Sequence, residues 1–187
     1  RAAKEAKGID RIIVSTDDET VAEVARAHGA SVPFLRPKEL SGDLSSLMPV
    51  VRHAVEESEK GHPTADVVLV LQATTPFRTS RSIDEALEKI STGRFTAVVS
   101  VTSDLSLRWK AEDGRLRPLF DRAGRRDEQE PVYLENGAIV ALRRDVLEKD
   151  ARFGDSVGFV ALDKREGFTV HDLEDFWMAE RLLREPR

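Results

Sequence analysis

The chain has 187 residues, 40% of them apolar, a formal net charge of -5 and no cysteine. That length and apolar content suit one packed domain over residues 1–187 and argue against a disordered tail, while the missing cysteines exclude disulfides, thiolate metal sites and a cysteine nucleophile. No apolar run approaches the roughly 18 residues of a bilayer crossing, the charged start is unlike a secretory signal, and the acidic balance offers nucleic acid no basic field; the expected setting is the cytoplasm, with neither membrane nor nucleic acid as partner.

Taken in chain order, the apolar pattern alternates between helix and strand. Residues 2–7 form a helix-like run closed by Gly8, and because the chain opens inside that run without a methionine, further residues are expected upstream. Arg11-Ile12-Ile13-Val14-Ser15 reads as a short buried strand, its β-branched residues clustered without helical spacing. A helix follows with Val21, Val24 and Ala25 on one face and Gly29 past its end. Residues 31–35 make a second short strand, which Pro33 confines to an edge or a strand end. A polar loop over 36–46 leads to a helix over about 48–60. Asp66-Val67-Val68-Leu69-Val70-Leu71 is the strongest strand, continuously apolar as a strand covered on both faces should be. Residues 82–90 are helical with Ile83, Ala86, Leu87 and Ile90 on one face, and 96–101 form another buried strand. Between 103 and 131 the rhythm breaks into short amphipathic pieces around Asp113-Gly114, an insertion with the look of a hairpin. Strands over 137–142 and 157–162 and a helix over about 173–183 complete the chain. Strands separated by helices predict right-handed crossovers, and so a three-layer α/β sandwich with a mainly parallel sheet.

Ligands of open α/β sheets bind outside the carboxyl ends of the strands, so the loops after the strands hold the candidates. Ser15-Thr16-Asp17-Asp18-Glu19 reads as a capping box, Thr16 accepting from a backbone N–H near Glu19 and Glu19 reaching back. Arg36-Pro37, followed by Ser45-Ser46 before a helix, reads either as a solvated loop with a serine cap or as a set of groups for a polar ring such as a pyrimidine. Leu71-Gln72-Ala73-Thr74-Thr75-Pro76-Phe77-Arg78 places several donors at the end of the most buried strand. The planar fork of Arg78 suits a carboxylate or phosphate, and convergent polar groups at such a point mark the default ligand site. In the last candidate, residues 125–138, Arg125-Arg126 and the pair Asn136-Gly137 flank Tyr133; a surface ion-pair cluster and a plain turn are the alternative readings.

In this order and spacing the segments resemble the acylneuraminate (CMP-sialic acid) cytidylyltransferases. The matching text is residues 9–19, Leu35-Arg36-Pro37 through Ser46, Leu71 to Arg78, and Glu135-Asn136-Gly137-Ala138. The resemblance implies a Rossmann-like fold and a nucleotidyltransferase that moves CMP from CTP to the anomeric hydroxyl of a nine-carbon 2-keto sugar acid, with Mg²⁺ and release of pyrophosphate. It implies Arg36, Ser45 and Ser46 at the cytidine, Gln72 and Arg78 as the catalytic residues of the central loop, and Gln72, Thr75, Arg78, Arg126, Tyr133 and Asn136 around the sugar acid. The insertion at about 103–131 looks like the family's dimerisation element, which implies a homodimer.

Two departures from the family pattern stand out. Its phosphate-cradling glycine- and lysine-containing loop, typically Ala-Arg-Gly-Gly-Ser-Lys-Gly, has no counterpart here, so the chain as given is expected to bind CTP weakly. Its Asp-x-Asp metal pair before the last helix corresponds to Thr169 and His171, and with a one-residue slip the metal ligands become His171 and Asp172, although imidazole suits Mg²⁺ badly; a helix N-terminal cap is the alternative reading of His171 and Asp172. The competing reading is a catalytically impaired relative that binds a nucleotide or sugar or serves as a dimer partner.

Overall fold

The computed structural model describes residues 1–42, 45–120, 125, 131–149 and 152–185. Its elements in chain order are α1 (Ala2–Glu5), α2 (Glu19–Ala27), a 3₁₀ turn (Lys38–Leu40), α3 (Leu47–Glu59), β1 (Val67–Val70), α4 (Ser80–Ser91), β2 (Ala97–Asp104), β3 (Trp109–Glu112), β4 (Arg115–Pro118), β5 (Val132–Arg143), α5 (Arg144–Glu148), β6 (Val157–Leu162) and α6 (Leu173–Arg184).

Four strands form the main sheet in the order β1-β5-β2-β6. Alternation along the strands sends side chains to two separate cores. On one face Val99, Val101, Val140 and Leu142 pack with Val51 and Val55 of α3 and with Val146 and Leu147 of α5. On the other, Val98, Ile139, Ala141, Val160 and Leu162 pack with Ile83, Ala86 and Ile90 of α4, with Ala2, Ala3 and Ala6 laid against them. Each of these larger apolar side chains contributes about 1.5–3 kcal/mol on burial. The double cover of β1, β5 and β2 explains their unbroken apolar runs and gives the α/β layering, whereas β6 is covered on one face and leaves Val157 and Phe159 open on the other.

The sheet is mixed, not mainly parallel. β2 and β6 pair in parallel, whereas β5 runs antiparallel to both β1 and β2. The reason lies in the insertion: β5 does not return through a helical crossover, but comes back from the hairpin side and enters the gap between β1 and β2 in the opposite sense. β1, β2 and β6 therefore share one direction, with a single reversed strand among them.

Two further expectations need correction. Residues 11–15 and 31–35 are not strands of the sheet; they meet in one parallel bridge, Ile13 with Ser31, through Val14 N to Ser31 O at 2.9 Å and Ser31 N to Ile12 O at 2.9 Å. Pro33 has no N–H to offer the next rung, so the ladder stops there. The cap of α2 also lies two residues later than the capping box required: Asp18 accepts from the N–H groups of Thr20 and Val21, Thr16 Oγ1 accepts from Asp18 N, and Glu19 pairs with Arg26 at 2.7 Å.

The insertion does contain a hairpin. β3 and β4 pair antiparallel about Asp113 and Gly114, whose φ values of 50° and 74° match the right-handed twist of the flanking strands. Among the described residues no helix is long and apolar enough to cross a membrane.

Candidate active site

β1 delivers the chain into the loop that carries Gln72 and Arg78, and the loop closes on itself. The Gln72 carbonyl accepts from Thr75 N at 3.3 Å and from the Arg78 guanidinium. Thr79 then caps α4 by accepting from Ser82 N. Burial lowers the Arg78 guanidinium from its ordinary value to about 10, so the group is still charged at neutral pH. Its Nε is buried without a hydrogen-bond partner, and among the described residues no carboxylate pairs with it. A cation half withdrawn from water with no counter-ion is costly. The cost is offset when a ligand supplies the anion, and the planar fork suits a carboxylate or phosphate.

Beside this loop the β2–β5 ladder is broken. Val99 faces Val140 but Val101 faces Glu135, leaving residues 136–139 of β5 opposite Ser100. Buried backbone groups need partners, and side chains supply them. Ser100 Oγ donates to Asn136 Oδ1 at 2.6 Å and accepts from Ile139 N at 2.8 Å. Asn136 Oδ1 also accepts from Ala138 N at 3.1 Å, and its Nδ2 donates to Thr102 Oγ1 at 2.9 Å. The Asn136 carbonyl accepts from Thr75 Oγ1 and Thr169 Oγ1, both at 3.0 Å.

Two of the expected sugar-acid contacts are therefore reassigned. Thr75 is fully buried with its hydroxyl committed, and the Asn136 amide is turned inward to span the broken ladder; both hold the loop in place rather than face a ligand. Ser100 and Thr102 are the framework residues that sequence reading missed. The only signal was polar residues interrupting an apolar strand, which does not reveal which strand lies opposite.

The segment before α6 is tied to the same loop, since Val170 N donates to Thr74 O at 2.8 Å. It thus brings His171 and Asp172 to the edge of the site. Asp172 is the N-cap of α6, accepting from Asp175 N at 2.9 Å, and Asp175 Oδ2 in turn accepts from His171 N at 2.9 Å. Among the described residues no three His, Asp or Glu side chains gather as a metal cage. His171 offers nitrogen to an ion that prefers oxygen, and the Thr169 hydroxyl is spent on Asn136. One oxygen of Asp172 is left over from the cap, which fits an ion carried mainly by substrate phosphates and not a protein-built site.

The remaining candidates divide by distance. The end of α3 is fixed near the start of β1, because Glu59 accepts from Ala65 N at 3.1 Å and from Arg144, which follows β5, at 3.2 Å. α3 therefore runs back along the sheet, and its other end, with Ser45 and Ser46 exposed, lies at the edge where β1 delivers Gln72. Ser46 makes no side-chain cap bond to the helix, so its hydroxyl is not spent on the role that the alternative reading gave it. Arg36 is already engaged: it pairs with Asp17 at 2.9 Å and donates to Ser41 Oγ at 3.2 Å. The Arg36 guanidinium holds the Asp17 carboxyl below its ordinary value. Tyr133 stands four residues before Gly137, on the order of 10 Å along the strand, exposed and with its ring 4.9 Å from that of Phe159; it is not brought to the central loop. Arg126 lies outside the described residues.

The sequence model of the family described as cytidylyltransferase matches residues 1–164. The chain belongs to the cytidylyltransferase family. This cytidylyltransferase is 31% identical over 193 residues to the CMP-N,N'-diacetyllegionaminic acid synthase of Legionella pneumophila, with 97% of this chain and 82% of that protein covered. It is 32% identical over 161 residues to the N-acylneuraminate cytidylyltransferase of Oncorhynchus mykiss, covering 82% of this chain but 36% of that longer protein. It is thus a nucleotidyltransferase of the acylneuraminate cytidylyltransferase type. Its fold is similar to that of a CMP:2-keto-3-deoxy-manno-octonic acid synthetase solved in complex with CTP, with a TM-score of 0.62, 18% identity, and 97% and 82% of the two chains covered.

Proposed function

We propose that this cytidylyltransferase transfers CMP from CTP to the anomeric hydroxyl of a nine-carbon 2-keto sugar acid of the sialic type, in the cytoplasm and as a homodimer. The observation that carries the reading is Arg78, a charged, half-buried guanidinium without a carboxylate partner, held to the backbone carbonyl of Gln72 in the loop that also carries the unbonded Gln72 amide. A sugar acid brings the missing carboxylate and hydroxyls for the amide. The names of the relatives, CMP-N,N'-diacetyllegionaminic acid synthase and N-acylneuraminate cytidylyltransferase, support the same acceptor class.

In the reaction the anomeric oxygen attacks the α-phosphorus, its proton leaves to solvent or a base, and the bond to the β-phosphate oxygen breaks to release pyrophosphate. Positioning and positive charge dominate such transfers. Arg78 and Gln72 hold the acceptor, and Ser45, Ser46 and Arg36 line the cytidine side; Arg36 is kept in place by Asp17. Asp172 is the residue that would hold Mg²⁺ alongside the triphosphate, and the ion would supply positive charge towards the departing pyrophosphate.

One observation favours the second reading, a ligand-binding relative with little turnover: the hydroxyl of Thr169, at a position where the family usually has a carboxylate, is turned into the framework. The experiment is pyrophosphate release from CTP with Mg²⁺ and a panel of acids including N-acetylneuraminate. Turnover that requires both CTP and a nine-carbon acid supports the enzyme; binding of the acid without release, across the panel, moves the conclusion to the second reading.

A further inference from the structure

We infer that Gly137 is a positioning residue whose missing side chain forms the seat of the Gln72 amide, and that Ser100, Asn136 and Thr102 hold that seat in place. The role is separate from the transfer chemistry, but its activity readout rests on the function proposed above. Gly137 sits in the broken stretch of β5 with φ 68°. A Cβ built there would lie 2.7 Å from Gln72 Oε1, 2.8 Å from its Cδ and 3.1 Å from its Nε2. All three heavy atoms of the amide group thus rest on the bare Cα of Gly137.

The contact is one of shape. Among the described residues the Gln72 side-chain amide makes no hydrogen bond, so its donors and acceptor are available to a ligand, and what fixes the plane of the group is the surface beneath it. That surface is in turn fixed by side chains on both sides of the glycine. Ser100 bonds Asn136 Oδ1 and Ile139 N, Thr102 bonds Asn136 Nδ2, and the Gln72 N–H reaches the Gly137 carbonyl at 3.4 Å. A methyl group at position 137 drives the amide off its seat; loss of the Ser100 hydroxyl lets the seat itself move. An alanine here also carries the strain of a left-handed backbone, so the test must separate the two effects.

A double-mutant cycle does so. The four proteins are wild type, Gln72→Ala, Gly137→Ala and the double variant, each followed by thermal unfolding. If the seat is real, Gly137→Ala lowers the Tm by less in the Gln72→Ala background, where the clashing amide is gone. Equal falls in both backgrounds mean that only backbone strain is at work and overturn the inference. Nitrogen-15 spectra give the second reading, with the Gln72 side-chain NH₂ signals identified by their loss in Gln72→Ala. They move in Gly137→Ala and in Ser100→Ala and return towards the wild-type position in Ser100→Thr, which restores the hydroxyl; unmoved signals in both variants overturn the inference. In turnover assays with CTP and N-acetylneuraminate, misplacing the amide lowers kcat/KM for the acid on the order of a hundredfold, and Gly137→Ala adds no further loss to Gln72→Ala. An inactive wild type would count against the proposed acceptor and leave the thermal and spectral arms to decide the seat.

Discussion

Gln72 and Arg78 share a loop but differ in what they contribute to the fold, and the difference makes them separable by experiment. The Gln72 side chain contributes no hydrogen bond inside the described structure, so Gln72→Ala leaves the unfolding free energy within about 0.5 kcal/mol of wild type, the range of substitutions that break no named interaction. Its loss is expected in KM for the sugar acid. Arg78→Ala removes one bond to the Gln72 carbonyl and also a half-desolvated charge, two effects of opposite sign and of about 1–3 kcal/mol each. Stability therefore changes little while acid affinity collapses. Calorimetry with N-acetylneuraminate checks both variants, and unchanged affinity in the pair removes the loop from the site. Two ion-paired acids, Asp17 and Asp104, behave differently. Hydrogen bonds from Ser106 and the neighbouring Arg108 hold the Asp104 carboxyl well below its ordinary value of 3.8, and Arg36 lowers Asp17 in the same direction. A group whose folded pKa is depressed adds stability above its unfolded pKa and loses it as pH falls through the folded value. Thermal midpoints of the wild type should accordingly fall below pH 4, and Asp104→Asn should make that fall shallower.

At the scale of elements, α6 shows how one residue can carry two roles that a single substitution confuses. Asp172 caps the helix, and replacing it by alanine costs about 0.5–2 kcal/mol whether or not it meets a metal. Asparagine caps as well as aspartate but carries no charge. Asp172→Asn is therefore expected to keep the thermal midpoint and to raise the Mg²⁺ concentration needed for half-maximal turnover; an unchanged Mg²⁺ requirement restricts Asp172 to the cap. The same scale shows where sequence reading works. Helices α3, α4 and α6 and strands β1, β2 and β6 were legible because their apolar periodicity reflects the faces that they bury. The direction of β5 was not legible, since a buried strand reads alike in either sense and only its partners distinguish parallel from antiparallel. Residues 11–15 have strand composition but find only one bridge, because their neighbour carries Pro33. Within the site, the loop of Gln72 and Arg78 was legible as polar residues ending an apolar strand, although β1 ends the strand order with every residue only partly buried and is not the most buried strand expected. The inward turn of Asn136 and Thr75 was not, because it depends on Ser100, 36 residues from Asn136 in sequence, facing a gap in the ladder.

Over the whole molecule, the apolar surface left open is concentrated on two features, the hairpin region and α6, and they are not equivalent. α6 is anchored: Ala179 is buried, and Arg165 donates to the carbonyls of Leu182 and Glu185 at its end. Yet Ala179 is its one buried residue, and Leu173, Phe176, Trp177, Met178 and Leu183 all stay open, so α6 is the rival surface that the test must separate from the hairpin. The β3–β4 hairpin has no such support. A two-stranded hairpin is marginal in water by itself, yet this one exposes Trp109 and Leu116 at 49% and 63%, with Leu107 and Leu119 close in sequence also open, and its ring contact is Trp109 with Phe120 at 5.1 Å. Val132 and Leu134 continue the patch on the projecting end of β5. A second copy of the chain meeting this surface would bury it, and at about 1.5–3 kcal/mol for each large side chain withdrawn from water a few such contacts outweigh the cost of association. We accordingly predict light scattering at twice the chain mass at micromolar concentration. A carboxylate placed at the centre of the interface is left desolvated and unpaired, so Leu116→Asp should convert the protein to a monomer that keeps its main sheet by circular dichroism. Leu183→Asp, on the open face of α6, should leave the dimer intact. A monomeric wild type would remove the hairpin as a dimer surface, and dissociation by Leu183→Asp but not by Leu116→Asp would move the interface to α6.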